Sequence, residues 1–153
     1  MLWPPDSPWA PWWRTNKKTA RVICKLAKIS NKDVVYDLGC GDGTLILTAA
    51  KNFGAKTVGV EIDPTRYLIA LLRVIINHQL ESISVKRGNF FDISISEATV
   101  VVVYLVPKTL EKLKKKFLKE LKPGTKIVSY KYEMNLPLVK YDQENQLRLY
   151  KIS

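Results

Sequence analysis

Strands alternating with helices, a glycine-rich turn after the first strand and two short final strands with no helix between them predict an α/β fold. The alternation demands a mostly parallel sheet with right-handed crossovers, and the last pair of strands closes it as a C-terminal antiparallel hairpin. Residues 1–14 stand apart in composition, holding all four tryptophans and half the prolines. They are expected to run extended as a Trp/Pro-rich segment, and residues 15–153 to form the folded domain.

Each element has its own signal. A helix is expected from Thr15, with Thr15 or Asn16 as cap and Ala20, Ile23, Cys24 and Ala27 at helical spacing. Asn31-Lys32-Asp33 turns into the first strand, 34–38, and a helix over 44–53 follows, stopped by Gly54. The second strand covers 57–61, and Asp63-Pro64 starts a helix that carries Leu68, Leu71, Leu72, Ile75 and Ile76 and ends near residue 77 or 78. A third strand covers 83–86, with a loop at 88–92. Residues 99–104 are apolar on both faces and so form a central strand. A helix over 110–121 ends before Pro123-Gly124, a fifth strand covers 126–130, and the hairpin strands lie around 136–141 and 147–152.

Composition narrows the chemistry. The chain of 153 residues is long enough for one domain with a proper core. No apolar run reaches membrane-spanning length. Residues 1–5 lack the basic start and apolar core of a leader, so a cytoplasmic location is expected, with peripheral membrane contact through the tryptophans as the alternative. Cys24 and Cys40 have no ligand partners at useful spacing, and His78 is the one histidine, so no metal site and no Ser-His-Asp chemistry is expected. The formal charge of +11 points either to an anionic partner or simply to a lysine-rich proteome.

The run Val34-Val35-Tyr36-Asp37-Leu38-Gly39-Cys40-Gly41-Asp42-Gly43 is the strongest local signal. A buried strand, a tight glycine turn and a helix start are the arrangement that holds a nucleoside-containing cofactor. Its G-x-G-x-G spacing differs from the G-x-G-x-x-G of dinucleotide binding. Asp37 would repel a pyrophosphate and suits the cationic amino acid end of S-adenosyl-L-methionine. Here the chain resembles class I S-adenosylmethionine-dependent methyltransferases, whose Rossmann-like sheet carries such a hairpin.

The resemblance implies that Gly39, Cys40 and Gly41 line the methionine end of the cofactor through backbone groups, with Asp37 holding its ammonium. Glu61 ends the second strand, where an acidic side chain can accept both ribose hydroxyls. Asp63 reads more readily as a helix cap. In the family the 88–92 loop contacts adenine, often through an acidic residue where this chain has Asn89. Phe90 either walls the adenine or fills core. Pro11 to Thr15 occupies the place of a segment that folds over the cofactor, which nominates Trp13 and Thr15.

After the fourth strand the chain reads Tyr104-Leu105-Val106-Pro107, with neither the amide of base N-methylating enzymes nor a cysteine for cytosine carbon methylation. Residues 100–107 and 121–129 are similar to archaeal broad-specificity protein lysine methyltransferases and to the ATP synthase c subunit lysine methyltransferases. This implies a protein substrate with an accessible lysine, deprotonated in an aromatic pocket to which Tyr104, Phe91, Tyr130 and Tyr132 could contribute; their alternative is core and rim packing. The alternatives are an RNA or small-molecule methyltransferase, or a cofactor-binding but inert partner protein. The lysine face of residues 108–122 is either solvated surface or a dock for a membrane, RNA or an acidic protein.

Overall fold

The computed structural model describes residues 15–153, and the expected Trp/Pro segment lies outside them. Twelve elements follow in chain order: α1 (Lys17–Leu26), β1 (Val34–Leu38), α2 (Thr44–Phe53), β2 (Lys56–Glu61), α3 (Pro64–Ile76), β3 (Ile83–Arg87), a 3-10 turn (Phe90–Asp92), β4 (Val100–Val103), α4 (Pro107–Glu120), β5 (Lys126–Tyr130), β6 (Leu138–Asp142) and β7 (Leu147–Lys151). The seven strands form one sheet in the order β3-β2-β1-β4-β5-β7-β6. Its β3 to β5 strands are parallel, and β7 and β6 pair antiparallel, as the alternation required. The chain reverses direction of travel between β3 and β4, so the carboxyl ends of β1 and β4 flank the crevice where such sheets bind ligands.

The two faces of the sheet are apolar for separate reasons. One packs against α1 and α2 through Ala20, Ile23, Cys24, Leu45 and Ala49. The other packs against α4 through Leu110, Leu113 and Phe117, the helical stripe visible in the sequence. Helix α4 starts three residues before the expected 110, because Pro107 occupies its first turn, where a missing N–H loses no bond. Strand β4 is two residues shorter than 99–104: Thr99 turns its hydroxyl to Asp33 Oδ1 at 2.7 Å, and Tyr104 leaves the ladder. Asn16, not Thr15, caps α1, its Oδ1 accepting from the Thr19 N–H at 2.8 Å.

Candidate active site

The glycine turn is built by β2. Its Val60 carbonyl accepts from the N–H groups of both Gly39 (2.8 Å) and Cys40 (3.0 Å), and Glu61 Oε1 accepts from the Gly41 N–H at 2.9 Å. Three consecutive donors are therefore engaged within the protein. Gly39, Gly41 and Gly43 all have positive φ (88°, 56° and 83°), which only glycine adopts without strain. At Gly39 an added Cβ would meet nothing within 4 Å, so open space lies beside it. At Gly59 in β2 it would meet Cys40 Sγ at 2.8 Å and Ile46 Cδ1 at 2.9 Å. The Cys40 side chain thus packs inward against β2, and only its backbone faces the turn.

Three carboxylates gather at this edge. Asp42 Oδ1, just before the Gly43 cap of α2, accepts from the N–H (3.1 Å) and hydroxyl (2.7 Å) of Thr44, while Arg73 Nη1 lies 3.3 Å from the same oxygen. Glu61 Oε2 accepts from the Asp63 N–H at 3.0 Å and faces Arg66 at 4.0 Å. Asp37 differs: it is buried, and no described residue donates a hydrogen bond to it. Burial, then the charges of Glu61 and Asp42, push its carboxyl up to about 7. An edge with the Gly39, Cys40 and Gly41 N–H groups engaged, and a buried carboxylate that has no cation on it among the described residues, fits an ammonium and repels phosphate. That donor set fits S-adenosylmethionine.

Across the sheet the register is decisive. Leu38 pairs with Val103 and Val103 with Ser129, so Gly39, Tyr104 and Tyr130 leave three adjacent strands side by side. The rings of Tyr104 and Tyr130 stack with centroids 4.3 Å apart. Burial, followed by Tyr130 and Tyr132, raises the Tyr104 phenol above its ordinary value, so it stays protonated at neutral pH. Burial likewise raises the Cys40 thiol well up and the Cys24 thiol to about 12, which leaves neither as a nucleophile.

Other expected residues fall in plainer places. Asn89 Oδ1 accepts from the Phe91 N–H at 2.9 Å and caps the 3-10 turn. Phe90 is buried in the core with Leu38, Val60 and Ile95. Thr15 is half-buried just before α1, and Trp13 lies outside the described residues. Sequence reasoning missed Arg66 and Arg73, which brace Glu61 and Asp42; helical spacing from Asp63 was the available signal for Arg66, and nothing local marked Arg73. Among the described residues no cluster of His, Cys, Asp or Glu could hold a metal ion, and no helix is long and apolar enough to cross a membrane.

This sheet and edge define a class I S-adenosylmethionine-dependent methyltransferase. The pattern of the ANTKMT methyltransferase domain matches residues 37–138, and the chain belongs to that family. It is 47% identical over 135 residues to a protein-lysine N-methyltransferase of Saccharolobus islandicus, covering 88% of this chain and 82% of the relative. It is 31% identical over 97 residues to a ribosomal protein L11 methyltransferase of Alkaliphilus oremlandii, of which the match covers 31%. An RNA methyltransferase of Salinibacter ruber, solved with S-adenosyl-L-homocysteine, superposes with a TM-score of 0.85 at 33% identity, covering 92% of this chain and 94% of that one.

Proposed function

We propose that this enzyme methylates lysine side chains of proteins. The observation that carries the reading is the stacked Tyr104–Tyr130 pair beside the Gly39 turn, in a chain that is 47% identical to a protein-lysine N-methyltransferase. S-adenosylmethionine, when bound, supplies an electrophilic methyl group. Asp37 holds its ammonium, Glu61 its ribose, and the 88–92 loop with Asn89 lies toward adenine; Trp13 and Thr15 belong to the segment that covers it. A lysine has a reference pKa near 10.4, so on the order of one in a thousand is neutral at pH 7. Aromatic walls orient the amine by cation–π contact and then favour its neutral form by excluding water. No described group is placed as a general base, so the proton passes to solvent from the amine held against the rings, as the last water leaves. The lysine face of α4 is the surface that receives acidic patches of the substrate.

The test is transfer of labelled methyl from S-adenosylmethionine to lysate protein, with lysine as the labelled residue by mass spectrometry. Tyr104→Ala is expected to lower kcat on protein by about 10²-fold while leaving the cofactor Kd within about twofold. Label confined to nucleic acid and removed by RNase would establish the rival reading instead. That reading draws on the likeness to the Salinibacter ruber RNA methyltransferase and on the +11 charge.

A further inference from the structure

Behind the glycine turn, where Thr44 and Arg73 hold Asp42, α1, α2 and α3 border a cleft of about 250 Å³. Its walls include Lys17 and Arg21 of α1, Thr48 and Lys51 of α2, and Arg73 of α3, and no carboxylate is among its described lining residues. Arg73 sends Nη1 inward to the Asp42 carbonyl (2.8 Å) and carboxylate (3.3 Å). Lys51 Nζ donates to Asn77 Oδ1 at 2.8 Å, a neutral partner. Neither Lys17 nor Arg21 pairs with a described carboxylate.

The placement of these cations works against α1. Lys17 and Arg21 stand one turn apart, where like charges repel. Lys17 and Lys18 also occupy the positive end of the helix dipole, whose first turn carries no acidic residue. Folding gains nothing from this pattern, and a bound anion relieves both penalties together. We propose that the cleft binds a ligand bearing two or more linked phosphoryl groups. With Arg73 balanced by Asp42, the lining leaves three positive charges; two phosphoryl groups bring on the order of three negative ones. A single carboxylate would leave most of that charge uncompensated. The Arg21 fork and the two ammonium groups suit tetrahedral oxygens approached from two helices, α1 and α2.

The test is calorimetric titration of the full chain with inorganic pyrophosphate, and separately with adenosine triphosphate. Saturable one-to-one binding is expected, weakened at least about tenfold by Arg21→Glu and by Lys51→Glu, the size of one lost charge-assisted contact. Both residues lie off the glycine turn, so an unchanged S-adenosylmethionine Kd certifies that the variants are folded. Lys114→Glu on α4 serves as the control for diffuse charge and should leave pyrophosphate binding intact. Equal affinity for the two probes would mean that phosphates alone are read; tighter nucleotide binding, also abolished by Arg21→Glu, would add a base contact. Absence of saturable binding overturns the proposal. So does equal weakening by Lys114→Glu.

Discussion

Burial and the neighbouring charges of Glu61 and Asp42 lift the Asp37 carboxyl from its ordinary 3.8 to about 7, and this has two consequences of opposite sign. The folded protein without ligand holds this proton more tightly than the unfolded chain does. Stability from this group is therefore full below pH 3.8, declines as pH rises, and is lost once pH passes about 7. Asp37→Asn is expected to raise Tm at pH 8 by a few degrees while abolishing measurable cofactor binding, with the Tm gain absent at pH 4. A drop in Tm at pH 8 would show that the carboxylate has a partner in the unliganded fold. Conversely, a bound ammonium favours the ionised form. Cofactor affinity should rise roughly tenfold from pH 6 to 7.5, with proton release visible by calorimetry in buffers of different ionisation enthalpy.

Between Glu61 and α3, capping is joined to the proposed ribose contact. Asp63 Oδ1 accepts from the N–H groups of Thr65 (2.8 Å) and Arg66 (3.1 Å), with Pro64 at the first helical position. Asp63→Ala should destabilise the fold by about 1 kcal/mol, a typical lost cap, measured by urea unfolding. Because Asp63 also lies 3.5 Å from the guanidinium that braces Glu61, the cofactor Kd should rise in the same variant. These features were legible in the sequence because they are local: Asp63-Pro64, the glycine turn and Gly54 each announce themselves by backbone preference. The bounds of α2 follow from Gly43 and Gly54 alone. What stayed hidden was non-local. That Gly59 is glycine because Cys40 and Ile46 crowd it needs the β1–β2 register, and Arg73 under the turn needs the packing of α3 on α2. Phe90 read equally as adenine wall or core because one ring in a short loop carries no periodicity. Gly59→Ala should overpack this junction and lower stability by about 1–3 kcal/mol, with Cys40→Ala in the same chain restoring part of it.

On the proposed reading, the sheet separates the two halves of the reaction. The proposed donor side lies on β1, β2 and their crossovers, whereas Tyr104 follows β4, Tyr130 ends β5 and Tyr132 lies in the segment 131–137 that leads into the hairpin. That segment has little regular structure, and β7 anchors it from below. Tyr150 is fully buried and its hydroxyl accepts from the Met134 N–H at 2.8 Å. Ser129 Oγ donates to the Tyr132 carbonyl at 2.5 Å, and the Lys131 N–H to the Gln146 carbonyl at 2.7 Å. Tyr150→Phe removes one acceptor and leaves the buried Met134 N–H unsatisfied, a loss of about 1–3 kcal/mol. Its position sets the functional outcome: the 131–137 segment loosens beneath Tyr132 while the glycine turn, four strands away from β6 along the sheet, is untouched. The acceptor KM should therefore rise severalfold with the S-adenosylmethionine Kd unchanged, read by steady-state kinetics beside direct cofactor titration. A parallel loss of cofactor affinity would mean that the antiparallel hairpin supports both sites, and that the division of labour across the sheet is not real.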